Sequence, residues 1–149
     1  MTIQERIQKE LTEAMKARDS LKADVLRGMK TAIKLKEIEK IRALSELEVL
    51  QVLQTLVKQR KDSIEQFTKG GRNDLVAREE AEAKILEDYL PAPVSEEELK
   101  TVISEVISEL QATTGKDIGR VMKTVMARFT GRNVDGKTVN EIVRARLGS

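Results

Sequence analysis

Apolar side chains recur every three or four residues along most of this chain, and that spacing commits it to helices. Residues three and four apart share one face of an α-helix, so each stripe must be buried by packing helix on helix. The first stripe is Ile3, Ile7, Leu11, Ala14 and Met15. The second is Leu21, Val25, Met29, Ala32 and Ile33, with further apolar positions to Ile41. The third is Leu47, Leu50, Leu53, Leu56, Val57, Ile64 and Phe67. A fourth segment, from Asn73 to Tyr89, turns Leu75, Val76, Ala83, Ile85 and Leu86 inward. Three shorter stripes follow, built on Leu99 to Leu110, Ile118 to Met126 and Val139 to Leu147. No stretch alternates apolar and polar residues with β-branched enrichment, so no strand is expected and the fold class is all-α.

The punctuation agrees with the stripes. Thr2 with Glu5, and Ser45 with Glu48, fit capping boxes, in which two side chains satisfy free backbone N–H groups of the first turn. Ser95 with Glu98, and Asp135, are placed to cap later helices. Arg18-Asp19-Ser20 breaks the first helix, and Gly70-Gly71 ends the third with a left-handed residue. The two prolines of the chain, Pro91 and Pro93, fall together. Proline cannot continue a helix and pushes the residue before it toward extended backbone. The expected organisation is therefore a helical N-terminal domain over 1–90, a linker over 91–94 and a three-helix C-terminal domain over 95–149.

Composition narrows the chemistry. There is no cysteine and no histidine. Thiolate nucleophiles and disulfides are excluded, and the usual neutral-pH base and commonest metal ligand are absent. No phosphate-cradling glycine loop occurs, and Gly70-Gly71-Arg72 is too short to form one. No catalytic residue, cofactor or metal site is expected. No apolar run approaches the ~20 residues that span a bilayer, and the N-terminus lacks the apolar core of a signal peptide. These features read as a cytoplasmic protein with no membrane partner.

The net charge of +2 conceals two basic regions. Lys16 to Arg42 holds nine bases and four acids, and Gln111 to Ser149 eight bases and three acids. Within the latter, Lys116, Arg120 and Lys123 lie at i, i+4 and i+7 on one helix face, and Arg128, Arg132 and Lys137 follow in its exit and the next loop. Such an array suits a phosphate backbone, where each neutralised phosphate releases condensed counterion. An ordinary solvated face is the competing reading. Gly119, in the same helix, suits either internal packing or close approach of another backbone. Lys58, Arg60 and Lys61 form a possible second anion site, although carboxylates nearby offer them structural partners. Glu79-Glu80-Ala81-Glu82 reads as a solvated or salt-bridged face. Phe67, Tyr89 and Phe129 are too few for a base-stacking platform, so any RNA would be recognised by shape and phosphate.

Several strings carry a resemblance over nearly the whole length. KQRKDSIEQF (58–67), GGRNDLVAREEAEAKILEDYLP (70–91), VSEEEL (94–99), GRVMKTVMARFTG (119–131) and DGKTVNEIV (135–143) resemble the YqeY proteins. The resemblance implies two helical domains, and kinship with the tail of the GatB subunit of glutamine-dependent aspartyl/glutamyl-tRNA amidotransferase, a carbon-nitrogen ligase of translation. In that enzyme the tail contacts tRNA while the chemistry occurs elsewhere. The implied function is a tRNA-binding accessory module, with tRNA and an amidotransferase or aminoacyl-tRNA synthetase as partners and no chemistry of its own. By position, the helix carrying Lys116, Arg120 and Lys123 is the implied tRNA-facing element, and the 131–137 loop its neighbour. That loop departs from the G-[KR]-A-D-G of relatives: Gly131-Arg132-Asn133-Val134-Asp135-Gly136 is one residue longer. A helical protein–protein adaptor is the alternative, expected to use exposed apolar positions on the helix of Val49 and Val52.

Overall fold

A computed structural model describes residues 1–148. They form seven α-helices and a short 3-10 turn, with no strand among them. The chain divides into two compact units, Met1–Leu90 and a second beginning at Pro91.

The first unit contains α1 (Ile3–Lys16), α2 (Ser20–Lys40), α3 (Glu46–Lys69) and α4 (Asn73–Glu87). α1 packs on α2, α3 packs on α4, and α2 touches both members of the second pair. Ile7, Leu26, Met29, Leu53 and Leu86 are fully buried at the centre. Both capping boxes form: Thr2 with Glu5 starts α1, and Ser45 with Glu48 starts α3. Asp19 accepts from the Lys22 N–H at 3.2 Å and starts α2 directly after Arg18, whose φ of 58° reverses the chain. Gly71, at φ 71°, turns the chain out of α3.

Two features of this unit depart from the stripes. Leu35, Ile38 and Ile41 continue the apolar pattern of α2 but remain 62%, 61% and 90% exposed. The first turns of α1 lie beside Lys30 to Leu35, so the last turns of the longer α2 outrun them. Ile41 also caps α2 at φ 58°, a left-handed conformation that β-branched residues avoid. Conversely, Glu82 is buried in the α3–α4 seam. It accepts from Arg60 of α3 and, at 3.1 Å, from Arg78 one turn earlier.

In the second unit α5 (Glu96–Leu110) leads through the 3-10 turn (Gly115–Asp117) to α6 (Ile118–Arg128) and α7 (Gly136–Leu147). α6 packs on both of its companions, around fully buried Ile103, Val106, Val121, Val125, Val139 and Val143. Asp135 accepts from the Lys137 N–H at 3.1 Å and caps α7. The residues after Pro91 are built into this unit. Val94 joins its core and donates its N–H to the Asn133 carbonyl at 3.0 Å, and Pro93 bridges to the same residue. The 131–136 loop thus supplies backbone pairing for the chain that enters α5.

Candidate nucleic-acid interface

The second unit segregates its charge. From Pro91 onward there are nine basic and eight acidic side chains, with five of the acids on α5 and most of the bases on and after α6. How these groups pair decides which cations face solvent with their charge uncompensated.

Arg128 points back at α5. Its guanidinium donates to Glu105 at 3.1 Å and to Glu109, and the side chain is about one-third exposed. Arg132 makes a fork with Glu98, both contacts at 3.2 Å. Glu98 therefore serves Arg132, while Ser95 alone caps α5 through the Glu98 N–H. Arg120 reaches Asp117 at 3.0 Å and the Leu110 carbonyl at 3.2 Å, ending an i, i+3 pair on an exposed face. Asp117 is the organiser here. It accepts from the N–H groups of Thr113 and Thr114, and these bonds, with Arg120 beside it, hold its carboxyl below the ordinary range.

Lys116 and Lys123 remain. Both are exposed, and neither ion-pairs among the described residues. Lys116 falls in the 3-10 turn ahead of α6 and not on the helix face expected for it; Gly119, Lys123 and Ala127 continue from it along α6 at spacings of four, and all four positions are exposed. A Cβ built on Gly119 would meet nothing within 4 Å, which removes internal packing as the reason for that glycine. Lys137 sits in the first turn of α7, exposed and with an interaction of its own.

The second cation set is bound up with the α3–α4 seam. Arg60 donates to Glu79 at 3.1 Å and to the buried Glu82, and Lys61 approaches Glu87 at 3.8 Å. Lys58 is exposed on α3 without an ion pair among the described residues. On the helix of Val49 and Val52, where an adaptor surface is expected, Leu47 is the large apolar side chain left exposed, at 39%. Val49 is 1% exposed and Val52 packs partly buried against the core.

Sequence reasoning missed the partners rather than the cations. Glu98, Glu105 and Glu109 lie 19 to 34 residues from the arginines they hold. Their i, i+4 spacing on α5 was the available signal for Glu105 and Glu109. The described residues hold no group of three or more carboxylates placed to bind a metal ion, and no helix long and apolar enough to cross a membrane.

Fold and surface together define a two-unit all-α protein whose polar surface is dominated by paired and unpaired charge. The chain belongs to the Yqey-like protein family, whose model matches residues 4–147. Among curated proteins it is similar to altered inheritance of mitochondria protein 41, mitochondrial, from three yeasts. The Lachancea thermotolerans protein is 42% identical over 108 residues, covering 70% of this chain and 58% of the relative. The Kluyveromyces lactis protein is 41% identical over the same length and shares. The Saccharomyces cerevisiae (strain YJM789) protein is 36% identical over 110 residues, covering 72% and 60%. The matched region is thus less than two thirds of these relatives' length. Their names also overturn the expectation of a cytoplasmic location, because these relatives, at 36–42% identity, are called mitochondrial.

Proposed function

We propose that the chain is a tRNA-binding accessory module, akin to the tail of the tRNA amidotransferase, that holds the duplex backbone through α6 and leaves chemistry to a partner enzyme. The observation that carries this reading is the exposed row of Lys116, Gly119 and Lys123, two unpaired cations flanking a glycine that nothing inside the unit requires. A glycine between two cations lets a phosphate come close to helix backbone. Arg120 is the third contact. Its pair with Asp117 is exposed, and exposed pairs are worth roughly 0–1 kcal/mol, so a phosphate can take the guanidinium over. Arg128 and Arg132 stay with α5 and tie that helix to α6 and its following loop. Lys137, on α7 of the same unit, is not required by the row. Arg60 and Lys61 are given a structural role in the α3–α4 seam, and Lys58 none in the interface.

Fluorescence anisotropy with a labelled tRNA transcript tests this across a salt series. Two or three phosphate contacts predict a log–log slope of about −1.8 to −2.7, or roughly a 10- to 40-fold loss between 50 and 200 mM salt. The double variant Lys116→Glu/Lys123→Glu should weaken binding at least tenfold while leaving the melting temperature unchanged. A flat salt dependence, or wild-type affinity in the double variant, would remove the reading.

A further inference from the structure

α2 carries an apolar surface that the first unit does not use. Where α1 lies against α2, a groove of about 420 Å³ opens, floored by buried Ile7 and Ile33. Its rim on α2 is Lys30, Thr31, Lys34 and Leu35. A shallower depression adjoins it, sharing Lys34 and adding Ile38 and Arg42. Lys34 and Glu37 line both, so the two form one continuous surface that runs toward the exposed Ile41 at the end of α2. From residue 30 to residue 41 an α-helix advances roughly 16 Å, three turns, the length over which a partner helix presents anchors at i, i+3 or i+4, and i+7.

We propose that this surface is a docking site for an amphipathic helix of a partner protein whose flanks are acidic. The apolar half of the argument is Leu35, Ile38 and Ile41, each more than 60% exposed. Ile41 holds a left-handed conformation at the α2 terminus, where glycine is the unstrained choice, and its side chain makes no core contact in return. The charged half selects the occupant. Lys34 has no ion pair among the described residues, and Lys30 bonds only the neutral Gln8 amide, at 2.5 Å. Glu37, the carboxylate that lines the surface beside Lys34, is already engaged by the Leu44 N–H at 3.2 Å. A second copy of the chain in a two-fold arrangement would set these lysines against themselves, because an isologous contact matches a patch with its own image. An acidic helix supplies apolar anchors and counter-charge together. The site lies in the other unit from the α6 row and stands or falls independently of it.

The test uses the full chain with Ile38 replaced by the photocrosslinking residue benzoylphenylalanine, expressed in its own host cell and irradiated. The attached segment is sequenced, and a synthetic peptide of that sequence is titrated against the wild-type chain. The expected result is an acidic segment with apolar residues at helical spacing, whose peptide loses at least tenfold in affinity to Lys34→Glu and to Ile38→Glu. Both side chains are exposed, so the melting temperatures of these variants should match wild type. The proposal is overturned by a crosslink to RNA, to a second copy or within the chain. A basic or non-helical segment, an adduct no stronger than one at control position Glu80 on the α4 surface, or insensitivity to Lys34→Glu would overturn it equally.

Discussion

Glu82 shows what a single side chain does when its environment is set from outside its own helix. It stands in an acidic run that reads as a solvated face, yet it is 7% exposed, because Arg60 of α3 and Arg78 of α4 converge on it. Burying a carboxylate is costly unless it is paired and hydrogen-bonded, and here both conditions hold. Glu82→Ala should therefore destabilise the chain by about 2–4 kcal/mol, since it leaves a half-buried guanidinium without its closest partner; urea denaturation measures this, and a change below 1 kcal/mol would contradict it. Tyr89 is a second such case. Its hydroxyl is buried beside Glu10, its ring lies 4.1 Å beneath the Arg6 guanidinium, and burial followed by the Glu10 charge pushes its phenol above the ordinary range. Neither environment was legible in the sequence. Arg60 is 22 residues from Glu82, and a pattern read along one helix carries no record of what another helix places opposite it. Local partners were legible for the same reason reversed: Thr2 and Glu5, or Ser45 and Glu48, sit within one turn of each other.

At the scale of elements, the start of α3 is the most heavily tied terminus. Glu48 closes the Ser45 capping box and also receives Arg42 at 2.7 Å and Lys40 at 2.6 Å, so one carboxylate fastens the end of α2 to the beginning of α3. Those bonds, Arg42 first, hold its carboxyl well below the usual carboxylate range. A carboxyl depressed on folding contributes stability that is present above its unfolded value and is lost as pH falls toward the folded one. Stability should accordingly fall between about pH 5 and pH 2, with Glu48, Glu10 and Asp117 all shifted in this sense. Glu48→Gln should flatten that acid limb in melting curves recorded by circular dichroism, and an unchanged limb would refute the assignment. The stripes themselves were read well where helices pack along their length, as in α5 and α6. They misled on α2, because helical spacing records which residues share a face and not whether another helix is long enough to cover it.

For the whole molecule, the prolines mark a boundary that the backbone then refines. The sequence suggests a linker over 91–94, but Val94 contributes to the second core and bonds Asn133. A fragment beginning at Pro91 should hence be more stable than one beginning at Ser95 by about 2 kcal/mol, the sum of a buried valine and one hydrogen bond. Thermal denaturation of the two fragments checks this, and equal midpoints would show that residues 91–94 add nothing. The charge arrangement of the second unit has a separate consequence for how it meets a ligand. Nine positive and eight negative groups leave the unit with almost no net charge to act at long range. A polyanion approaching from afar feels little pull, and encounters should proceed at an unsteered 10⁵–10⁶ M⁻¹s⁻¹ or so instead of the ~10⁸ that a lopsided charge confers. Four of the five α5 carboxylates are already paired with Lys100, Arg128 and Arg132, so discrimination between one direction of approach and another rests on short-range contact with the exposed Lys116 and Lys123.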